Sequence, residues 1–334
     1  MKQYTVAVLG ATGAVGQQML QVLQERQFPV GKLIALGSER SVGTKVHFAG
    51  EQIPVQEAFG FDFAGVDLVL GAADNQTALD LAPAITESGA VFVDNSSAFR
   101  QYAGVPLVVP EINGEDVFKH QGIISNPNCT TAISLTAIAP LQALSPIRSI
   151  VVSTYQAVSG AGVAGPLELL QQISALSRGE PYPPQVFPHQ IAYNLIPRIG
   201  EHQELGYTSE EMKLQYEGRK ILHLPELTVS CTCVRVPVMR SHSISASICF
   251  DDRVDAEKAK EILATAPGCR LLDDLEAEEY PTPLQASDQD LVLVGRVRPD
   301  LTDANRLNLW CCGDQLRKGA ATNAIQIAEL LFKS

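Results

Sequence analysis

The hydrophobic positions of the chain change rhythm about midway along it. In the first 125 residues they come as short, nearly continuous runs: residues 5–10 (Thr-Val-Ala-Val-Leu-Gly), Lys32–Leu36, Val66–Leu70, Val91–Val93 and Gly122–Ser125. Runs of this kind read as strands buried on both faces. Between them lie stretches that suit helices, Gln17–Arg26 and Thr77–Glu87 among them. Strands alternating with helices predict a mostly parallel sheet covered by helices, and this domain is expected over residues 1–130.

From about Ser149 the runs lengthen and become rich in β-branched residues: Ser149–Tyr155, Thr228–Pro237 and Ile244–Phe250. A second, α+β domain over residues 131–313 accounts for the change. Its middle, Arg178–Arg198, carries Pro181, Pro183, Pro184, Pro188 and Pro197, which excludes regular helix or a central strand. It reads as an ordered excursion. In Leu316–Phe332, Ala320, Ala324, Ile327, Ala328 and Leu331 recur at helical spacing, so a C-terminal helix over 314–334 is expected to pack back on the first domain.

Composition narrows the function. With 334 residues, 46% hydrophobic and 19% charged, the chain is built to fold into a substantial core. Its net charge of −12 opposes nucleic acid and anionic lipid as partners. There is no apolar run of membrane-spanning length and no leader pattern, so the expected location is the cytoplasm. The seven cysteines (129, 231, 233, 249, 269, 311 and 312) lack paired CxxC spacing. No metal site is expected, and most of the thiols should be reduced and buried.

Chemistry enters first at Gly10-Ala-Thr-Gly13-Ala-Val-Gly16, between the first strand and the first helix. Such a turn lets a ligand approach the backbone and aims helix-terminal N–H groups at a pyrophosphate. Gly10, Thr12, Gly13, Ala14, Val15 and Gly16 are therefore candidate cofactor contacts, and the domain is read as Rossmann-type. The spacing is GxxGxxG rather than GxGxxG, and a turn without a ligand is the plain alternative. At the end of the second strand, Ser38, Arg40 and Ser41 suit the 2′-phosphate of NADP. Glu39 beside them leaves open NAD or a solvated loop charge.

Cys129 stands in Ser125-Asn-Pro-Asn-Cys129-Thr-Thr131, after one apolar strand and before the helical run Ala132–Ala143. A thiol at a helix N-terminus feels the positive end of the dipole, which favours the nucleophilic thiolate. Cys231, Cys233 and Cys249 lie on predicted strands and read as small buried hydrophobes. A nucleotide fold with a nucleophilic thiol suggests hydride transfer joined to acyl transfer through a thioester that phosphate displaces. Such a site needs an acid/base group, and His242, seven residues after Arg235, is the candidate; a surface histidine is the alternative.

These segments carry a resemblance. GATGAVG, NSSAFR at 95–100, VVPEIN at 108–113, SNPNCTT at 125–131, STYQAVSGAG at 153–162, an EExK-like spacing at 210–213, CVRVPVMRSHS at 233–243 and QLRKGAATNAIQIAE at 315–329 together resemble the aspartate-semialdehyde dehydrogenase family, in order along nearly the whole chain. The resemblance implies NADPH-dependent reductive dephosphorylation of L-aspartyl 4-phosphate to L-aspartate 4-semialdehyde, in lysine, methionine and threonine biosynthesis. Cys129 would be the acyl-thioester nucleophile, His242 the general acid/base, and Gln156 the group orienting the thioacyl. Arg235 would clamp the α-carboxylate, Glu210 would contact the substrate amine, and Arg100 with Lys213 would hold phosphate. Ser159, Gly160 and Gln315 would line the nicotinamide side.

One segment departs from the family. Where such proteins carry a Ser-Ala-Gly stretch and a further serine after the third major strand, this chain has Gly71-Ala-Ala-Asp74-Asn-Gln. Two alternatives follow: N-acetyl-γ-glutamyl-phosphate reductase, which tends to carry Gly where Asn128 stands, and a non-catalytic NADP-binding paralogue. A homodimer through a β-rich face of the second domain is expected.

Overall fold

A computed structural model describes residues 2–332, so the last two positions of the helix expected at 314–334 lie outside the described residues. The chain divides into two compact units, Met1–Asn128 with Gly319–Ser334, and Cys129–Lys318.

The first unit is built on a seven-stranded sheet in the order β3-β4-β2-β1-β5-β6-β7. Its strands are β1 (Tyr4–Leu9), β2 (Val30–Gly37), β3 (Lys45–Phe48), β4 (Glu51–Glu57), β5 (Leu68–Gly71), β6 (Val91–Asp94) and β7 (Ile123–Ser125). All neighbours pair in parallel except β3 with β4. Helices α1 (Ala14–Glu25) and α2 (Asn75–Glu87) and the single turn α3 (Pro110–Asn113) connect them. Alternate residues of one strand serve opposite faces: Val6 and Val8 join Leu20 and Leu23 of α1 in one core, while Ala7 and Leu9 join Ala78, Leu81 and Ile85 of α2 in the other.

The C-terminal helix departs from the sequence reading. Asp314 Oδ1 accepts from the N–H groups of Leu316 (2.8 Å) and Arg317 (3.1 Å), so helical geometry starts only beyond it. Arg317–Ala321 then form a π turn, and α geometry runs over Thr322–Phe332. Ala321, Ala324, Ile325, Ile327 and Ala328 pack in the same core as Val6 and Val8.

The second unit carries a six-stranded mixed sheet in the order β11-β12-β13-β10-β8-β9. The strands are β8 (Ile147–Gln156), β9 (Thr228–Arg235), β10 (His242–Phe250), β11 (Cys269–Leu271), β12 (Val292–Pro299) and β13 (Arg306–Gly313). The unit's helices are α4 (Cys129–Ile138), α5 (Ala164–Ser177), α6 (Ser209–Leu222), α7 (Ala256–Thr265) and the short α8 (Pro283–Ala286). Nine of ten α4 residues are buried, so this is a core helix, with small hydroxyl residues (Thr130, Thr131, Ser134 and Thr136) interleaved among its apolar ones. The Pro-rich stretch 178–198 forms neither helix nor strand. It is tied to α5 by buried side chains: Glu168 accepts from the N–H groups of Gln185 and Val186, and Gln172 from those of Ile191 and Ala192.

Candidate active site

Within the second unit the polar chemistry gathers at one end of the sheet. In the parallel β8–β9 pair, Gln156 stands opposite Arg235 as the last residue of each strand. On the other side of β8, Ser243 pairs with Tyr155, which places His242, the first residue of β10, at the same end. Three side chains distant in sequence are neighbours because the strands end in register.

Ala157, the residue after β8, links two of them through its backbone. Its N–H donates to His242 Nδ1 (3.1 Å) and its C=O accepts from Arg235 Nη1 (2.7 Å). An Nδ1 that accepts cannot carry the proton, so neutral His242 is protonated on Nε2. That Nε2 is buried and has no hydrogen-bond partner among the described residues. Burial, reinforced by the nearby Arg235 charge, pulls the imidazole pKa down to about 3, so His242 is neutral through the physiological range.

Arg235 is also buried. Desolvation lowers its pKa, and charges on Cys129 and Glu210 oppose the shift, which brings the cysteine and the glutamate into the same electrostatic neighbourhood. A guanidinium remains protonated under these conditions. Gln156 is fixed at both ends of its amide: Oε1 accepts from Thr154 Oγ1 (3.1 Å) and Nε2 donates to Glu210 Oε1 (3.2 Å). Glu210 Oε2 in turn accepts from Lys213 Nζ (2.9 Å), one helical turn on. The Glu210–Lys213 spacing on α6 is the i,i+3 arrangement that lets side chains meet.

Cys129 is the first residue of α4 and is partly exposed, whereas the other six cysteines are buried. Burial pushes Cys312 up to about 11 and raises Cys311 well above the ordinary thiol value, which makes them inert thiols.

Gly160 lies in the 3₁₀ turn Val158–Ala161. A Cβ there would stand 2.7 Å from Arg235 Nη1 and 3.3 Å from His242 Nε2, so the glycine gives room for both groups. Gln315 has Oε1 on the N–H of Ser241 (2.8 Å) and donates through Nε2 to Ser159 Oγ (2.5 Å), joining the turn to the segment just before His242.

In the first unit the glycine turn has the tightness expected of it. Gly10 has φ +77, and a Cβ would fall 2.5 Å from the Ala72 carbonyl oxygen; at Gly16 it would fall 2.2 Å from that of Gly10. Gly13 is the N-cap of α1, and Ala14 and Val15 begin the helix with no side chain capping its N–H groups. Thr12 Oγ1 and Ser41 Oγ lie 3.3 Å apart. Ser38, Glu39 and Arg40 are exposed beyond the end of β2. The departing segment has a structural use: Asp74 caps α2, accepting from the N–H groups of Gln76 and Thr77 and from Thr77 Oγ1. Arg100 is buried, with Nε on the Asn126 carbonyl (2.9 Å) and Nη2 on that of Asn95 (2.7 Å).

Two family descriptions cover most of the chain: semialdehyde dehydrogenase, NAD binding domain, over residues 5–120, and semialdehyde dehydrogenase, dimerisation domain, over 138–318. An aspartate-semialdehyde dehydrogenase of Synechocystis sp. is 48% identical over 98% of this chain and 97% of its own. The chain belongs to the aspartate-semialdehyde dehydrogenase family.

Other aspartate-semialdehyde dehydrogenases extend the likeness. The Bacillus subtilis protein is 46% identical over 98% of this chain and 97% of its own. A crystal structure of aspartate semialdehyde dehydrogenase II from Vibrio cholerae, complexed with ASA, has TM-score 0.97 at 43% identity, covering 100% of this chain and 99% of that one. A more distant structure from Candida albicans, solved with NADP, has TM-score 0.77 at 26% identity, covering 99% and 98%. For this member of the aspartate-semialdehyde dehydrogenase family, sequence reasoning passed over Ala157 and Thr154. The first acts through backbone atoms, which no residue type announces; the alternation of β8 signals that Thr154 and Gln156 share a face. Among the described residues no group of three or more His, Cys, Asp or Glu could hold a metal ion, and no helix is long and apolar enough to cross a membrane.

Proposed function

We propose that the chain catalyses the NADPH-dependent reductive dephosphorylation of L-aspartyl 4-phosphate to L-aspartate 4-semialdehyde through a thioester on Cys129, as a step of lysine, methionine and threonine biosynthesis. The observation that carries the reading is the meeting of Gln156, Arg235 and His242 at one end of the second unit's sheet, in the same unit as the partly exposed Cys129 at the start of α4.

The guanidinium of Arg235 receives the substrate α-carboxylate, since its planar fork matches two oxygens. Glu210 serves the α-amine; Lys213 in the second unit and Arg100 in the first are each the cation that would serve the phosphate. Cys129 Sγ attacks C4; the C4–O bond to phosphate breaks, and the acyl group remains on sulfur. Gln156, its amide already fixed by Thr154 and Glu210, orients that group. His242 presents Nε2–H to the C4 oxygen, and a neutral donor held by the Ala157 N–H stabilises negative charge there without reorganising. After reduction the C4 oxygen is an oxyanion held by Nε2–H; it re-forms the C4=O bond as the C4–S bond breaks, and Sγ leaves as the thiolate while His242 keeps its proton.

The cradle at Gly10, Gly13 and Gly16 fits a pyrophosphate, because its two crowded glycines keep side chains out of the approach and the α1 N–H groups are uncapped. Thr12, Ala14 and Val15 line it. Ser38, Arg40 and Ser41 would take the 2′-phosphate, and Ser159, Gly160 and Gln315 the nicotinamide side. When bound, NADPH supplies the hydride that reduces the thioester.

The second unit also supports a homodimer. Val151 of β8, Thr228, Ser230 and Thr232 of β9 are exposed on a face that continues through Ser245 and Trp310, an open sheet face of the kind a second copy covers.

The test is phosphate-dependent reduction of NADP or NAD by L-aspartate 4-semialdehyde, with N-acetyl-glutamate semialdehyde alongside. Turnover of the first substrate with NADP supports the reading. No turnover with either cofactor would defeat it.

A further inference from the structure

The Pro-rich excursion does more than cross the surface. It returns to Arg235 twice. Ile196 pairs with Arg235 through both backbone bonds, Ile196 N to Arg235 O at 3.0 Å and Arg235 N to Ile196 O at 2.9 Å. Nine residues earlier, the ring of Phe187 faces the same guanidinium, with Cζ 5.9 Å from the ring centroid.

Resting on the functional reading above, we propose that Phe187 is a positioning residue for Arg235, capping the guanidinium so that its remaining donors face the substrate carboxylate. A buried cation needs compensation for lost water, and an aromatic face supplies it without competing for hydrogen-bonding directions. The ring is itself held. It is 8% exposed and packs with Val158, Leu169, Ile191, Ala192 and Ile196 in a small core of its own. Its backbone approach is fixed from α5, where the buried Glu168 carboxylate takes the N–H groups of Gln185 and Val186 just before it. Gln172 secures Ile191 and Ala192 just after it, each at 2.9 Å. Arg235 is thus set from three sides: the Ala157 carbonyl, the Ile196 backbone and the Phe187 ring.

A merely apolar role for Phe187 and a cation–π role separate in one series. Replacing Phe187 by its mono-, di- and trifluorinated analogues keeps shape while draining the ring face. KM for aspartate semialdehyde should climb stepwise to about tenfold, with kcat and KM for NADP each within about twofold. Phe187→Leu should match the most fluorinated ring, and Phe187→Tyr should restore the native KM. A flat fluorination series, or a loss confined to kcat, would overturn the proposal. Should the wild-type protein fail to turn over aspartate semialdehyde, the functional reading falls by itself. The ring contact is then read from labelled arginine, as an upfield ring-current shift of the Arg235 side-chain protons that Phe187→Leu abolishes. An Arg235 resonance that does not move in that variant would refute the contact.

Discussion

Gly160→Ala is the most economical perturbation of the site, because it adds one methyl group and removes nothing. Gly160 lies outside the left-handed region of φ, so alanine meets no backbone penalty. The cost is steric: the new Cβ would stand 2.7 Å from Arg235 Nη1 and 3.2 Å from His242 Cε1. Ordinary contact needs about 3.5 Å, so the guanidinium must give by roughly 0.8 Å. The Nη1 bond to the Ala157 carbonyl, 2.7 Å at present, is the contact such a shift strains; moved away along its own axis it would lengthen to about 3.5 Å, beyond ordinary hydrogen-bonding range. Losing a charge-assisted bond of this kind costs about 1.5–3 kcal/mol, which corresponds to a fall of roughly 10–150-fold in kcat/KM. Steady-state kinetics with aspartate semialdehyde, phosphate and NADP measures the fall, and thermal denaturation reports whether the fold is kept. A variant within twofold of wild type would show that Gly160 does not back Arg235 and His242.

Other consequences can be checked alongside. His242 is held neutral with a native pKa of about 3, below the 6.5 it has when unfolded; the unfolded state therefore gains the proton first, and stability falls as pH drops below 6.5. Between pH 7.5 and 5 this one group should remove about 2 kcal/mol. Urea titrations at the two pH values should show a smaller drop for His242→Asn, and equal drops would contradict the assignment. At Gly16, an added Cβ would meet the Gly10 carbonyl oxygen at 2.2 Å; Gly16→Ala should cost about 1–3 kcal/mol and lower Tm by several degrees, and an unchanged melting curve would argue against the tight turn. Arg40→Ala should raise KM for NADP about tenfold and leave KM for NAD alone; equal effects on both would remove Arg40 from the 2′-phosphate.

The sequence carried five of the first unit's parallel strands, β1, β2, β5, β6 and β7, because each is short, largely apolar and flanked by glycine or polar turns. It concealed the β3–β4 hairpin. Those strands are mostly polar, Pro54 interrupts β4, and the turn is Ala49-Gly50, both at positive φ, without the Asn-Gly that advertises such turns. In the second unit β13 was open to reading: Leu307, Leu309 and Cys311 are buried and alternate with partly exposed Asn308 and Trp310. The short β11 offered no period at all. Cys129, Gln156, Arg235 and His242 were legible as residue types and motifs. Their juxtaposition was not, since it depends on β8 and β9 ending in register and on β10 beginning beside them. The grip of Ala157 and the ring of Phe187 were hidden for the same reason: one acts through its backbone, the other through a long irregular segment whose return path no local pattern encodes.

The central claim is that the reaction passes through an acyl group on the sulfur of Cys129. Mixing the protein with aspartate semialdehyde and NADP in the absence of phosphate, and following absorbance in the stopped flow, tests it directly. The account predicts a burst of one NADPH per active site, the acyl group recovered on the Cys129 peptide by mass spectrometry after acid quench, and neither signal in Cys129→Ala. A burst that persists in Cys129→Ala, or an acyl group found on another residue, would contradict it.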